Sequence, residues 1–163
     1  GDGTALTAGT TARIADGAAA VLLLPESTRR GAPGLAVRAG ATVGVDPRMP
    51  GIGPVPAVRR ALERAGAGLD DLAAVELVEA YGAQSLAVLD DLGLADGEAV
   101  DPRVNATGGA LALGHPWGAS AAIAVVRLWS RLVRGGAPAG SLGLATAAIG
   151  GGMGVAAVLE VVR

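Results

Sequence analysis

The sequence predicts a layered α/β domain. Three observations carry this reading. Short apolar runs of strand length alternate with amphipathic segments of helix length. Two apolar runs at the end of the chain flank Gly150-Gly151-Gly152-Met153-Gly154 and read as a hairpin. The chain has 163 residues, 51% of them hydrophobic, which is enough to bury one sizeable core. Residues 1–17 are rich in Gly and Thr and make a poor independent opening. Residues 18–24, Ala-Ala-Ala-Val-Leu-Leu-Leu, read as a buried strand stopped by Pro25. Residues 26–33 are polar and turn-like. Residues 35–45 carry the β-branched Val37, Thr42, Val43 and Val45 and read as a strand. Residues 46–53 hold two Pro and two Gly and read as a loop. Pro54 and Pro56 suit a first helical turn, and the helix runs to about Ala65, with Val55, Val58, Leu62 and Ala65 on one face. Residues 66–71 connect to a short apolar strand, 74–77. Residues 84–92 form an amphipathic helix with Leu86, Leu89 and Leu92 inward. A polar excursion over 93–105 precedes a long helix at 118–134, whose scarcity of charge predicts burial around most of its circumference. The strands 141–149 and 155–162 close the chain.

Composition excludes several classes of function. Charged residues are 17% and the net charge is −2, so neither a disordered charged tail nor a phosphate-binding surface is expected. All 13 positive residues are Arg, a bias that fits a G+C-rich coding sequence. There is no Cys, which excludes a disulfide framework, a thiolate metal site and a thiol nucleophile in this sequence. One His cannot build a His-rich metal site, so no metal is expected. Aromatic residues are 2%, namely Tyr81, Trp117 and Trp129, too few for a base-stacking platform. No apolar run has the length and continuity of a membrane span. Residues Gly1-Asp2-Gly3-Thr4 lack the form of a signal peptide, so the cytoplasm is the expected location.

Three segments carry candidate chemistry. The first runs from Asn105 to Ser120 and holds Gly114-His115-Pro116 just before a helix start. Unpaired N–H groups and the positive dipole end of that helix keep a ring there neutral. A neutral ring can donate to a developing oxyanion. The plain alternative is a structural His capping a turn. The second segment is 150–154, whose glycines let backbone N–H groups approach a ligand, or simply turn a hairpin. The third is Glu76-Leu77-Val78-Glu79-Ala80-Tyr81-Gly82-Ala83-Gln84, a strand ending in a carboxylate. Glu79 there is either part of a site or a cap on backbone amides.

In this order the three segments resemble the thiolase family, and the resemblance covers nearly the whole chain. Residues 7–9 through 16–21 are similar to the passage into the last strand of the family's N-terminal half. Residues 76–84 resemble its Asn-Glu-Ala-Phe motif, 105–120 its Gly-His-Pro motif, and 146–154 its Cys-x-Gly-Gly-Gly-x-Gly motif. The resemblance implies the C-terminal half of the fold, a layered α/β/α arrangement around a mixed five-stranded sheet. Residues 1–25 would be the tail of the N-terminal half and 26–163 the C-terminal domain. The implied site residues are His115, Gly150, Glu79 and Asn105, with His115 and the Gly150 N–H as oxyanion donors. No bound cofactor is implied; a coenzyme A or acyl-carrier thioester enters as substrate.

Departures from the pattern sharpen the expectation. The family's nucleophilic Cys belongs to the N-terminal half. Its second Cys, the proton shuttle, falls on Ala148, and a methyl group transfers no proton. The Asn that holds an oxyanion-hole water falls on Val78, a Ser near the pantetheine on Ala12, a neighbouring Gly on Arg13, and the Asn of an Asn-Asp-Gly turn on Ala15. The expectation is a subunit of a hetero-oligomer, whose partner polypeptide carries the first half of the fold with the nucleophile. Its reaction would form or cleave a C–C bond in an acyl thioester. The alternatives are a non-catalytic half kept for assembly, and a thiolase-fold hydrolase or retro-aldol lyase. Neither nucleic acid nor a membrane is expected as a partner.

Overall fold

A computed structural model describes residues 6–97 and 99–163; the opening Gly1-Asp2-Gly3-Thr4 of the tail lies outside them. In chain order the elements are α1 (Glu26–Arg29), β1 (Gly34–Gly44), α2 (Pro54–Ala65), β2 (Leu72–Leu77), α3 (Gly82–Leu92), α4 (Ala110–Leu113), α5 (Ser120–Leu128), β3 (Leu142–Ile149) and β4 (Met153–Val162). The strands lie in the order β1-β4-β3-β2. β3 and β4 pair antiparallel as the expected hairpin, β4 pairs antiparallel with β1, and β2 runs parallel to β3. The sheet is therefore mixed.

Side-chain alternation along these strands builds two cores. Val75, Leu77, Leu144, Ala156 and Val158 face one way and pack on Val55, Val58, Leu62, Val88 and Leu89 of α2 and α3. Ala74, Val78, Ala145, Leu159 and Val161 face the other way, onto Ala124 and Leu128 of α5 and the following Leu132. Helices on both faces of one sheet make the α/β/α layering. Among the described residues no helix is long and apolar enough to cross a membrane.

Among the described residues the sheet has four strands, which corrects the expected five. Where a fifth would add, Val104 forms a single parallel bridge with Val75. The Val75 N–H donates to Arg103 O at 3.0 Å, and the Asn105 N–H donates to Val75 O at 2.9 Å. The chain cannot extend further. Val104 N–H turns back to Asp101 O, Pro102 has no N–H to offer, and Asn105 adopts φ 42°. Residues 18–24 also depart from the buried strand expected of them. They carry no ladder pairing, and Leu22 and Leu23 are 81% and 77% exposed.

Two helices differ from expectation in detail. In α3 the buried residues are Ser85, Val88, Leu89 and Leu92, while Leu86 lies off that stripe and is exposed. The long helix begins as a 3₁₀ turn at Trp117–Ala119, continues as α5, and widens to π-type bonding over Trp129–Arg134. Only the stripe through Ser120, Ala124, Leu128, Leu132 and Val133 is fully buried; Val126 and Trp129 face outward.

Candidate active site

The end of β2 and the loop after it carry the first part of the site. Asn105 locks onto β2 with its amide: Leu77 N–H donates to its Oδ1 and its Nδ2 donates to Leu77 O, both at 2.9 Å. The same Nδ2 donates to Glu79 Oε1 at 2.7 Å, and the Leu111 N–H, in the first turn of α4, donates to Glu79 Oε2 at 3.0 Å. Both oxygens of Glu79 are thus occupied. The carboxylate joins β2, the Asn105 turn and α4, and is an anchor between loops rather than a free base. Gly109 makes this possible, because a Cβ there would land on the Glu79 carboxylate and the Asn105 amide. Gly109→Ala is expected to break the Glu79–Asn105 pair and to lower stability by about 1 kcal/mol, toward the low end of the cost of leaving polar groups without partners, since both residues are half-buried. A thermal unfolding scan checks this.

His115 sits on a turn pressed against the N-terminal strip. Its N–H donates to Arg13 O at 2.7 Å, and Ile14 bridges to it in parallel. Gly114 has φ 100°, and a Cβ there would lie 2.6 Å from Ala15 Cβ, so the close approach of the strip requires glycine. Farther up the strip, Ala12 N–H donates to Ala80 O and Gly82 N–H donates to Thr10 O. Residues 10–15 therefore tie both motif loops together. The His115 ring lies 2.6 Å through Nδ1 from Ser120 Oγ, and Ser120 is buried at the start of α5. Burial lowers the ring's pKa from its usual 6.5, which keeps it neutral at pH 7. A Ser120 Oγ–H that donates to Nδ1 leaves the single ring proton on Nε2; the other tautomer donates Nδ1–H to Ser120 Oγ.

A cavity of about 270 Å³ opens beside this turn, between the strip, β2 and α5. Ala15, Gly17, Val78 and Gly114 line it, and Asp16, Glu76, Ser120 and Arg127 supply its polar side chains. None of His115, Glu79, Asn105 and Gly150 lines it. Gly150 stands at the exposed end of β3, ahead of Gly151 and Gly152 at φ 90° and 87°. Nothing among the described residues accepts its N–H. Ala148 pairs with Gly154 at the same end of the hairpin. The structure thus brings Glu79 and Asn105 into contact and links them through α4 to His115. Gly150 shares no hydrogen bond with the other three. Among the described residues no group of three or more His, Asp or Glu side chains could hold a metal ion.

Two features escaped sequence reasoning. Ser120 lies within the Gly-His-Pro segment, but its role depends on the turn bringing it back over the ring. The second feature is an ion cluster. Glu76, 2% exposed, accepts from Arg127 Nε at 2.8 Å and from Arg131 at 2.7 Å. Arg127 also donates to Thr107 Oγ1 and Gly108 O, and Arg131 to Arg103 O. Its signal in the sequence is a lone carboxylate inside an apolar strand, which needs a partner if buried.

Comparison with known proteins decides the family. Residues 33–161 match the model of the thiolase C-terminal domain. The chain belongs to the thiolase family. A 3-ketoacyl-CoA thiolase of Aliivibrio fischeri is 46% identical over 95% of this chain and 40% of its own length. An acetyl-CoA acetyltransferase of Shinella zoogloeoides is 50% identical over 95% of this chain and 38% of its own. The crystal structure of the Bacillus anthracis acetyl-CoA acetyltransferase superposes with a TM-score of 0.71 at 38% identity, over 78% of this chain and 30% of that one. Human mitochondrial 3-ketoacyl-CoA thiolase gives 0.69 at 39% identity, over 76% and 29%. This thiolase chain spans about two-fifths of the length of the curated relatives it matches.

Proposed function

We propose that this chain supplies the oxyanion-stabilising half of a thiolase-type acyl transfer, with the nucleophilic cysteine provided by the N-terminal half of the fold on a partner polypeptide. The observation that carries this reading is the His115 ring, kept neutral by burial and held through Nδ1 at 2.6 Å from Ser120 Oγ; the reading takes Ser120 as the donor to Nδ1, which puts the ring proton on Nε2. Attack of a thiolate on an acyl thioester puts negative charge on the carbonyl oxygen. Preorganised N–H donors stabilise that charge most where water is excluded. His115 Nε2–H and the unengaged Gly150 N–H are the two donors. Glu79 and Asn105 act by position, fixing the loops that carry the His115 turn. The acyl group arrives on coenzyme A or an acyl carrier, and the reaction makes or breaks a C–C bond.

Ala148 favours a second reading. With a methyl group where the family's shuttle Cys falls, the chain would serve as a non-catalytic half that stabilises its partner, or the assembly would run hydrolysis or retro-aldol cleavage. An acetoacetyl thioester assay separates these readings. The chain by itself should show no thiolysis above a heat-killed control, for want of any thiol. Mixed with a polypeptide carrying the N-terminal half, it should turn over the thioester. Product analysis identifies hydrolysis or retro-aldol cleavage, and a mixture without turnover rejects the catalytic proposal.

The exposed Leu22 and Leu23 bear on the partner. Burial of one such side chain contributes about 1.5–3 kcal/mol, so a chain that seats them gains substantially. Hydrogen exchange over 18–24 should be fast in the isolated chain and slow when the partner is added. Equal protection in both samples would contradict the docking role.

A further inference from the structure

The turn 150–154 is held by the loop 45–53. Val45 N–H donates to Gly152 O at 2.7 Å. A Cβ on Gly152 would lie 2.7 Å from Val45 O, and a Cβ on Gly154 would land on the Gly53 backbone. Backbone packs directly on backbone at both ends of the loop, so a shift of the loop carries the turn with it. One side chain clips the loop in its turn. Gln84, half-buried in the first turn of α3, donates from Nε2 to Gly51 O at 3.0 Å, within the 3₁₀ turn Pro50–Ile52. Its stem lies so close that a Cβ on Gly51 would sit 2.5 Å from Gln84 Cγ. The start of α3 is itself tied to the N-terminal strip: Gly82 N–H donates to Thr10 O at 2.8 Å, and the same strip accepts the His115 N–H at Arg13 O. A series of contacts therefore runs from the His115 turn through the strip, α3 and Gln84 to the loop 45–53 and the glycine turn. Its hydrogen bonds are backbone to backbone except at Gln84.

We propose that Gln84 is a positioning residue, whose amide holds the loop 45–53 against α3 and so sets where the Gly150 N–H stands relative to His115. The catalytic consequence rests on the acyl-transfer reading above, in which both donors face one oxygen and their separation matters. Gln84 touches no reacting atom and acts through Gly51 O. The residue type fits the place. A neutral amide donates to a carbonyl without bringing a charge into a half-buried position, whereas an ionised Glu of the same length offers acceptors only. The segment 76–84 then serves both sides of the site. Glu79 fixes the loops that lead to His115, and Gln84, in the following helix, fixes the loop that carries the glycine turn.

The test reads the position of the turn separately from turnover. Amide exchange followed residue by residue by NMR on the full chain reports the joint at Val45, whose N–H is bonded to Gly152 O. Gln84→Met keeps the stem and removes the donor. It should speed exchange at Val45 about 2- to 10-fold, the worth of one hydrogen bond, while amides in the interior of β3 and β4 keep their wild-type rates. Gly51→Ala pushes the clip away from the other side and should act alike, and the double variant should exchange no faster than the faster single one. Wild-type exchange at Val45 in both variants overturns the proposal. So does acceleration of Val45 and the strand interiors by one common factor, which marks a loss of global stability instead. In the assembly with the N-terminal half, Gln84→Met should lower kcat for an acetoacetyl thioester about 10-fold, part of the roughly 10²–10³ that removal of a whole donor costs, and leave KM within about twofold. An unchanged kcat beside faster Val45 exchange overturns the link to Gly150. A wild-type assembly without turnover rejects the acyl-transfer reading, and the exchange result then decides alone whether Gln84 holds the turn.

Discussion

His115→Ala in the assembled thiolase is expected to lower turnover about 10²- to 10³-fold, or roughly 3–4 kcal/mol of transition-state stabilisation, and to leave the fold nearly intact. The size of the effect follows from what stands around the ring. By the resemblance to the family, Val78 stands where an Asn would hold a second donor's water; Val78 is apolar and 8% exposed. His115 is then the one side-chain donor proposed at that hole. The fold should tolerate the change because the structural ties of the turn are backbone ones, His115 N–H to Arg13 O and the constraint at Gly114. The ring's side-chain tie is to Ser120. A structural His would behave in the opposite way, with a lower melting temperature and an unchanged rate per folded molecule. Measuring both quantities on the reconstituted complex separates the two, and an unchanged rate would make the Gly-His-Pro turn inherited architecture. Ser120→Ala should give a smaller loss of rate, since it releases the ring's tautomer without removing the donor.

The parts of this site that were legible in the sequence are those set by local chemistry. Pro54 and Pro56 fixed the start of α2, and the run of glycines after Ile149 announced the hairpin. The strand 34–44 showed in its β-branched residues, although the register shift between Val37 and Ala39 did not. What stayed hidden depends on the meeting of distant segments. The polar run before Asn105 gives no local sign that one residue, Val104, will bridge to β2 and that the chain will turn at Asn105. The strip 10–15 reads as an unstructured opening. Its pairing with 80–82 and 115 becomes visible only when β2 and the Gly-His-Pro turn are already in place. Leu86 is the instructive miss in α3, because a periodic set of leucines contains more than one possible stripe and packing against α2 and the sheet selected Val88 and Leu89.

The largest stability loss is expected at Glu76. Its carboxylate is buried between β2 and α5, and it is the shared partner of Arg127 and Arg131, themselves only 20% and 15% exposed. Glu76→Ala would leave two mostly buried guanidinium groups uncompensated. Breaking a buried ion pair in this way costs about 3–5 kcal/mol. That is a large share of the roughly 5–15 kcal/mol by which a domain is stable. The Arg38–Glu160 pair provides the internal scale: its Arg is 54% exposed, and Glu160→Gln should change stability by less than about 1 kcal/mol. Replacing Glu76, Arg127 and Arg131 together with apolar residues should recover only part of the loss. The uncompensated charge disappears, but Gly108 O, Arg103 O and Thr107 Oγ1 lose the donors that pin the loop on either side of Asn105. Urea unfolding of the assembled protein should therefore rank the parent first, the triple variant second and Glu76→Ala last. If Glu76→Ala falls within 1 kcal/mol of the parent, the cluster is not what holds α5 and the 103–108 loop to β2. If the triple variant matches the parent, the arginines matter only as partners for Glu76 and not as clamps on the loop that carries Asn105.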